Sequence, residues 1–272
     1  QLILENLERA NLFVVPLDDE RHWYRYHQLF ADVLQARLLE AQPQQLIVLQ
    51  RRASDWYEQR GLRGEAIRYA LAAQDFAHAA ALIELAWPAM DGQFQSAAWL
   101  GWARALPPAL MPPRPVLSVA YAWALLNRGE LEAAEAHLRE AEQWLTSKDG
   151  SHERLPGAII VDEAQFRTLP ASLATARSYQ AQARGDHLGS VQYGRRALDL
   201  LPPNDHLRRG PAAALLGLAH WANGELEAAH GALAEAMANF QQVGSLHFAI
   251  SGTYGLADIR TAQGRLRDAI KT

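Results

Sequence analysis

The sequence predicts an all-α fold: a row of stacked helical hairpins, an α-α solenoid, preceded by a small element of another kind. One phrase returns along the chain. It reads NRGELEAAEAHLREAEQWL from Asn127, ARGDHLGSVQYGRRALDLLP from Ala183, ANGELEAAHGALAEAMANF from Ala222 and AQGRLRDAI from Ala262. The glycines that open the last three copies, Gly185, Gly224 and Gly264, stand at a nearly constant interval. A supersecondary unit repeating at such a period cannot bury its apolar face alone and must stack on its neighbours. Composition agrees, because Ala, Leu, Glu and Arg dominate and β-branched runs are sparse, which favours helix.

Small residues recur at fixed offsets from each glycine. With Gly224 as the fifteenth residue of a repeat, Gly217 falls at eight, Ala229 at twenty and Ala236 at twenty-seven. The same places are Ala122, Ala134 and Ala141 around Gly129, and Ser178, Ser190 and Ala197 around Gly185. Gly61 gives Ser54, Ala66 and Ala73, and Gly264 gives Ala257 and Ala269. These offsets resemble the tetratricopeptide motif, in which small residues let two antiparallel helices approach and glycine supplies the left-handed turn between them. The resemblance implies a right-handed superhelix.

Two stretches break the frame. The interval from Gly61 to Gly129 leaves room for another pair, with helices expected near Asp75–Ala89 and Gln93–Ala105. The interval from Gly129 to Gly185 holds one repeat and an insertion, Thr146–Leu169. Turn residues followed by the short apolar run Ile159–Val161 make that insertion an extended connection with a short helix.

Residues 1–40 are different. An apolar stretch, Leu12–Val15, a Pro-Leu-Asp-Asp turn, an aromatic stretch, Trp23–Tyr26, and then a helical run give two short strands and a helix, a winged-helix-like element. The expected domains are therefore 1–40, the end of that element, and 41–272, the repeats, with the last repeat truncated. An unfinished repeat exposes an apolar end, so self-association is expected.

Other classes find little support. The formal charge of −4 gives no electrostatic case for direct nucleic-acid binding, and the basic pairs Arg51-Arg52, Arg195-Arg196 and Arg208-Arg209 are read as solvated helix faces. The absence of cysteine excludes disulfides and thiol chemistry and fits a reducing, cytoplasmic compartment. No apolar run approaches the roughly 18 residues that span a bilayer, and the N-terminus lacks a signal-peptide layout. None of the ten histidines has H-E-x-x-H or H-x-H spacing, and the pair His22 and His27 makes a poor metal site. The acidic triplet Asp18-Asp19-Glu20 reads as turn chemistry. No catalytic constellation is found, and the chain is expected not to be an enzyme.

The segments LERANLFVVPLDDERHWYRYHQLFADVL and WLGWARALPPALMPPRPVLSVAYAWALLNRGELEAAEAHLREAE closely resemble the middle of the MalT-like regulators. These are large LuxR-type bacterial transcription activators of the signal-transduction ATPase (STAND) class. The resemblance runs along essentially the whole chain and is strongest over residues 4–40 and 95–145. It implies a parent with a phosphate-loop ATPase module, a winged helix, a superhelix that senses an inducer, and a LuxR-type helix-turn-helix. No G-x-x-x-x-G-K-[ST] motif is present, and the last residues, GRLRDAIKT, read as the opening of a repeat's second helix. The chain itself is expected to hold no cofactor, with ATP or ADP binding and DNA binding belonging to other parts of a parent.

The resemblance also implies site residues. In related ATPases a winged-helix histidine in the context of His27 approaches the β-phosphate of bound ADP, and an imidazole can donate to a phosphate oxygen. The alternative for His27 is packing among Tyr24, Tyr26 and Phe30. In tetratricopeptide superhelices the first helix of each pair lines the concave face, chiefly at positions two, five, nine, twelve and thirteen. Those positions place Trp123, Asn127, Tyr179, Gln182, Trp221, Tyr254 and Asp258 inward. Aromatic walls with a few polar groups suit a sugar, a small amphiphile or a peptide, although such rings also serve as packing between repeats. The expected function is that of an effector-sensing module whose partners are a small-molecule or protein inducer and the parent's ATPase. The alternative is a free-standing repeat adaptor that binds protein segments.

Overall fold

A computed structural model of the chain describes residues 2–10, 12–145 and 157–271. It divides into two compact units, residues 1–79 and 80–272.

The first unit holds α1 (Leu2–Arg9), β1 (Val14–Pro16), β2 (Tyr24–Tyr26), α2 (Gln28–Ala41), α3 (Pro43–Gln59) and α4 (Arg63–Ala72). The strands pair antiparallel with Val14 opposite Tyr26 and Pro16 opposite Tyr24. The acidic triplet closes their turn, because Asp18 Oδ1 accepts the backbone N–H of His22 at 2.9 Å and of Trp23 at 3.1 Å. Aromatic rings give this small element its packing. Phe13 stacks on Phe30 at 5.0 Å, Tyr26 meets the edge of Phe30 at 5.7 Å, and Trp23 meets Trp56 of α3 at 5.3 Å. In the hairpin α3/α4, Ser54 Oγ donates to the Ala66 carbonyl at 2.8 Å, joining positions eight and twenty of the repeat.

The second unit contains α5 (Phe76–Gly92, which begins in the first), α6 (Ser96–Arg104), a 3₁₀ turn at Pro108–Leu110, α7 (Pro115–Leu126), α8 (Leu131–Gln143), α9 (Glu163–Ala183) and α10 (His187–Leu200). It continues with α11 (His206–Ala222), α12 (Leu226–Gln242), α13 (Leu246–Ala262) and α14 (Leu266–Ile270). Gly129, Gly185, Gly224 and Gly264 turn between paired helices at φ +75° to +77°, a region that side-chain-bearing residues avoid. The repeat register holds. Ala122, Ala134, Ala141, Ser178, Ser190, Ala197, Ala229 and Ala236 are all at most 2% exposed. Ser178 Oγ donates to the Ser190 carbonyl at 2.9 Å and Ser190 Oγ to the Ser178 carbonyl at 3.0 Å. At Gly217 an added Cβ would lie 2.7 Å from Leu233 Cγ, so nothing larger fits without displacement.

The core is a row of local layers. One joins Ala171, Ala174, Ala197, Leu201 and Ala212; the next joins Ala213, Ala236, Phe240 and Ala249; another joins Ala229, Leu233, Leu256 and Ile259. The additional pair is α5/α6, and it departs from the small-residue rule. Trp87 and Trp99 stand where the other pairs have small side chains, their rings edge to face at 4.8 Å. Trp99 is fully buried, and its Nε1–H donates to the Ile83 carbonyl at 2.8 Å.

The stretch Thr146–Leu169 differs from its expected form. Residues 146–156 lie outside the described residues. Ile159 in the following segment donates its N–H to the Pro113 carbonyl at 2.7 Å. Asp162 then caps α9, accepting the N–H of Ala164 at 2.8 Å and of Gln165 at 3.2 Å. Glu163–Leu169 is therefore the regular start of a 21-residue helix that runs through Pro170 rather than part of a connection. Proline removes one helical bond, but burial of Leu169, Pro170 and Ala171 compensates. Among the described residues no helix is long and apolar enough to cross a membrane.

Candidate functional site

The expected inward residues separate into three groups, and frame position alone does not divide them, since Gln182 and Trp221 hold the same place in their repeats. Ala122 and Ser178, at position eight, face their paired helices and are fully buried. One residue further is about 100° further round the helix, so position nine emerges beside the first helix of the next pair. Trp123 and Tyr179 both hold position nine. Their half-buried rings meet across α7 and α9 with centroids 5.6 Å apart at 56°.

Polar groups extend this pair. Asn127 lies one turn beyond Trp123, on the same face, and its Nδ2–H donates to Asp91 Oδ1 of α5 at 3.4 Å. Gln182 lies one turn beyond Tyr179 and is half-buried, with its Oε1 atom buried and unpartnered among the described residues. The wall thus runs Asp91, Asn127, Trp123, Tyr179, Gln182. Asp91 was not legible in the sequence, because its hairpin carries Phe94 where the frame places glycine. The signal was the spacing, since Phe94 stands close to midway between Gly61 and Gly129, where one further repeat would have its turn.

Trp221 holds position twelve and points to the neighbouring repeat. It packs with Leu226 and Met237 against Ala229, Leu233, Leu256 and Ile259 and is part of the core between repeats. Tyr254, at position five of α13, is 71% exposed, and Asp258 is exposed one turn later.

Ion pairs behind the wall fix α9 and hence Tyr179. Arg177 Nε and Nη2 donate to the two Glu142 oxygens at 2.8 and 2.9 Å, and Nη1 donates to Glu135 at 2.5 Å and to Gln180 at 2.9 Å. A bidentate guanidinium-carboxylate contact is directional as well as strong. Burial works against the charge of Glu135, but the Arg177 contacts outweigh it and hold that carboxyl below its ordinary range. Gln180 Nε2–H adds a bond to the Leu131 carbonyl at 3.2 Å.

A second electrostatic feature lies in α5. Glu84 is fully buried, with Arg114 at 4.0 Å. Burial pushes its carboxyl up to about 7, while Arg114 and the Val161 backbone oppose the rise and Asp162 adds to it.

His27 is exposed at the N-terminal boundary of α2. Its backbone N–H donates to the Phe13 carbonyl at 2.7 Å, and its own carbonyl accepts from Phe30 and Ala31. Phe13, Tyr26 and Phe30 pack on one another, which leaves the imidazole facing solvent. No cluster of three or more His, Asp or Glu side chains suited to a metal ion occurs among the described residues.

Comparison with known proteins follows the two-part structure. Residues 1–46 match the MalT winged helix domain, and residues 171–272 match the MalT-like TPR region. The HTH-type transcriptional regulator MalT of Serratia proteamaculans is 28% identical over 99% of this chain, and that of Yersinia pestis is 27% identical over all of it. The serine/threonine-protein kinase PknK of Mycobacterium tuberculosis is 35% identical over 60% of the chain. The chain spans 28% and 29% of the two MalT proteins and 16% of the kinase. Both matched regions are MalT-like, a winged-helix element followed by tetratricopeptide-like repeats.

Proposed function

We infer that a chain composed of a MalT winged helix element and a MalT-like repeat region is the effector-sensing segment of such a regulator, a cytoplasmic protein. The wall from Asp91 to Gln182 receives the effector, and the meeting of Trp123 with Tyr179 is the observation that carries this reading. Paired aromatic faces flanked by amides and a carboxylate offer stacking surface and directional hydrogen bonds together. Binding is relayed to ATPase and DNA-binding modules of the parent. His27, exposed at the N-terminal boundary of α2, then faces a nucleotide phosphate in the resting parent and loses it on release. The chain catalyses nothing itself and holds no cofactor; ATP or ADP belongs to the parent.

Such a switch requires differential affinity. Moving an equilibrium from 1:99 to 99:1 takes about 5.5 kcal/mol, so the effector must bind the released state far more tightly than the resting one. The match to a kinase favours a second reading, in which the same sensing segment controls a phosphotransferase. The site chemistry is common to both.

The test is a tryptophan-fluorescence titration of the full chain with a panel of short neutral oligosaccharides and tripeptides. A saturable change with an oligosaccharide, lost in Trp123→Ala while helicity is retained, supports the reading. Saturation by tripeptides alone would favour a protein-binding adaptor. No saturable response from any member, or one that survives Trp123→Ala, overturns the wall.

A further inference from the structure

Phe94 is an aromatic residue in a place built for glycine. In the other hairpins the turn is made by Gly61, Gly129, Gly185, Gly224 and Gly264 at φ +73° to +77°, and Phe94 adopts φ +58° in the same frame position. A bulky L-residue there is strained, and local packing does not explain it, because the side chain is 64% exposed. The ring has partners far along the sequence. It meets the His247 ring edge to face at 5.4 Å and the Phe248 ring at 5.6 Å, both on the first turn of α13. Phe248 in turn stacks on Phe240 of α12 at 5.1 Å, and Phe240 belongs to the core layer with Ala213, Ala236 and Ala249. The turn of the α5/α6 hairpin is thereby connected to the core layer between α11/α12 and α13, the third and fourth hairpins on from it.

We propose that Phe94, with His247 and Phe248, is an aromatic clasp that closes the row of repeats on itself between the α5/α6 turn and α13. A repeat row is held only by nearest-neighbour interfaces, so its curvature is soft unless a distant contact fixes it. The clasp supplies that contact. Its rings remain largely solvent-exposed, Phe248 at 41%, so it holds through a small contact area and opens at low cost. Helices α7, α9 and α11 lie between its two ends in the sequence, and opening it changes the angle between α7 and α9 at which Trp123 and Tyr179 meet. The clasp stands independently of the effector reading, since it requires no ligand.

The chain has no cysteine, so a single spin-label pair can be introduced at exposed positions with Ala97→Cys and Ser251→Cys. Pulsed electron spin resonance on the otherwise complete chain then reads the distance distribution between α6 and α13 without ligand. A narrow distribution is expected, broadened and moved to longer distance by Phe94→Gly. That substitution relieves the backbone, so its melting temperature should stay level or rise, which separates loss of the clasp from loss of fold. Phe248→Ala should give the same broadening. An unchanged distribution in Phe94→Gly, or a shift in Phe94→Gly that Phe248→Ala fails to reproduce, would overturn the clasp.

Discussion

The hairpins α5/α6 and α9/α10 occupy the same frame and are held together by opposite means. In α9/α10 the helices meet through Ser178 and Ser190, whose hydroxyls bond each other's backbone. In α5/α6 the corresponding places carry Trp87 and Trp99, so the contact is made by two indoles, with one N–H satisfied by the Ile83 carbonyl. The first solution relies on close backbone approach and loses little from any one side chain. The second concentrates its stability in a few large groups, and it also buries Glu84. A repeat frame therefore specifies where two helices touch without specifying what they touch with.

The contrast is broken most severely at Trp99. Trp99→Ala removes a fully buried indole and is expected to cost about 3–5 kcal/mol in urea unfolding. A cost below roughly 1 kcal/mol would mean that the pair does not depend on the indole.

Glu84 supplies the next effect, with a defined sign. Its carboxyl is raised from 4.5 to about 7 in the folded chain. Between those values the folded state binds a proton that the unfolded state has released, so this group's contribution falls as pH rises through the window and is level above it. The full loss is on the order of 3 kcal/mol. In Glu84→Gln that part of the pH dependence should vanish, while the groups common to both proteins cancel in the difference. Parallel stability curves for the two proteins from pH 4.5 to 7 would show that Glu84 is ionised throughout.

Ser178→Ala probes the other hairpin and should act least. It removes one buried donor while Ser190 keeps its bond to the Ser178 carbonyl, so about 1 kcal/mol is expected. A loss as large as that of Trp99→Ala would erase the distinction between the two hairpins.

Much of this organisation was legible in the residues themselves. Ser54, Ala122, Ser178 and Gly217 were placed at helix contacts by spacing alone, because a close approach admits only small side chains and leaves a strict mark. The Asp18 turn and the strands beside it were readable for a similar reason, since local backbone chemistry needs no distant partner. The α5/α6 pair was foreseen as a length of chain, but its tryptophans and Phe94 hid the frame and with it Asp91. The helical character of Glu163–Leu169 was missed because it depends on the Asp162 cap and on burial around Pro170.

The candidate site was only partly legible. Position along a helix put Trp123, Tyr179, Trp221 and Tyr254 on one expected surface, but a periodic frame does not fix the angle between neighbouring repeats. That angle decides whether a ring meets another ring, as Trp123 does, enters the core, as Trp221 does, or stands in solvent, as Tyr254 does.

The most direct measurement is therefore a paired calorimetric titration of Trp123→Ala and Trp221→Ala with an oligosaccharide that saturates the unmodified chain. Trp123→Ala should weaken binding at least tenfold, about 1.4 kcal/mol, at nearly unchanged stability, whereas Trp221→Ala should lower stability and leave affinity within about twofold. The reverse pattern, with affinity lost at Trp221 and kept at Trp123, would contradict the assignment of the wall to position nine.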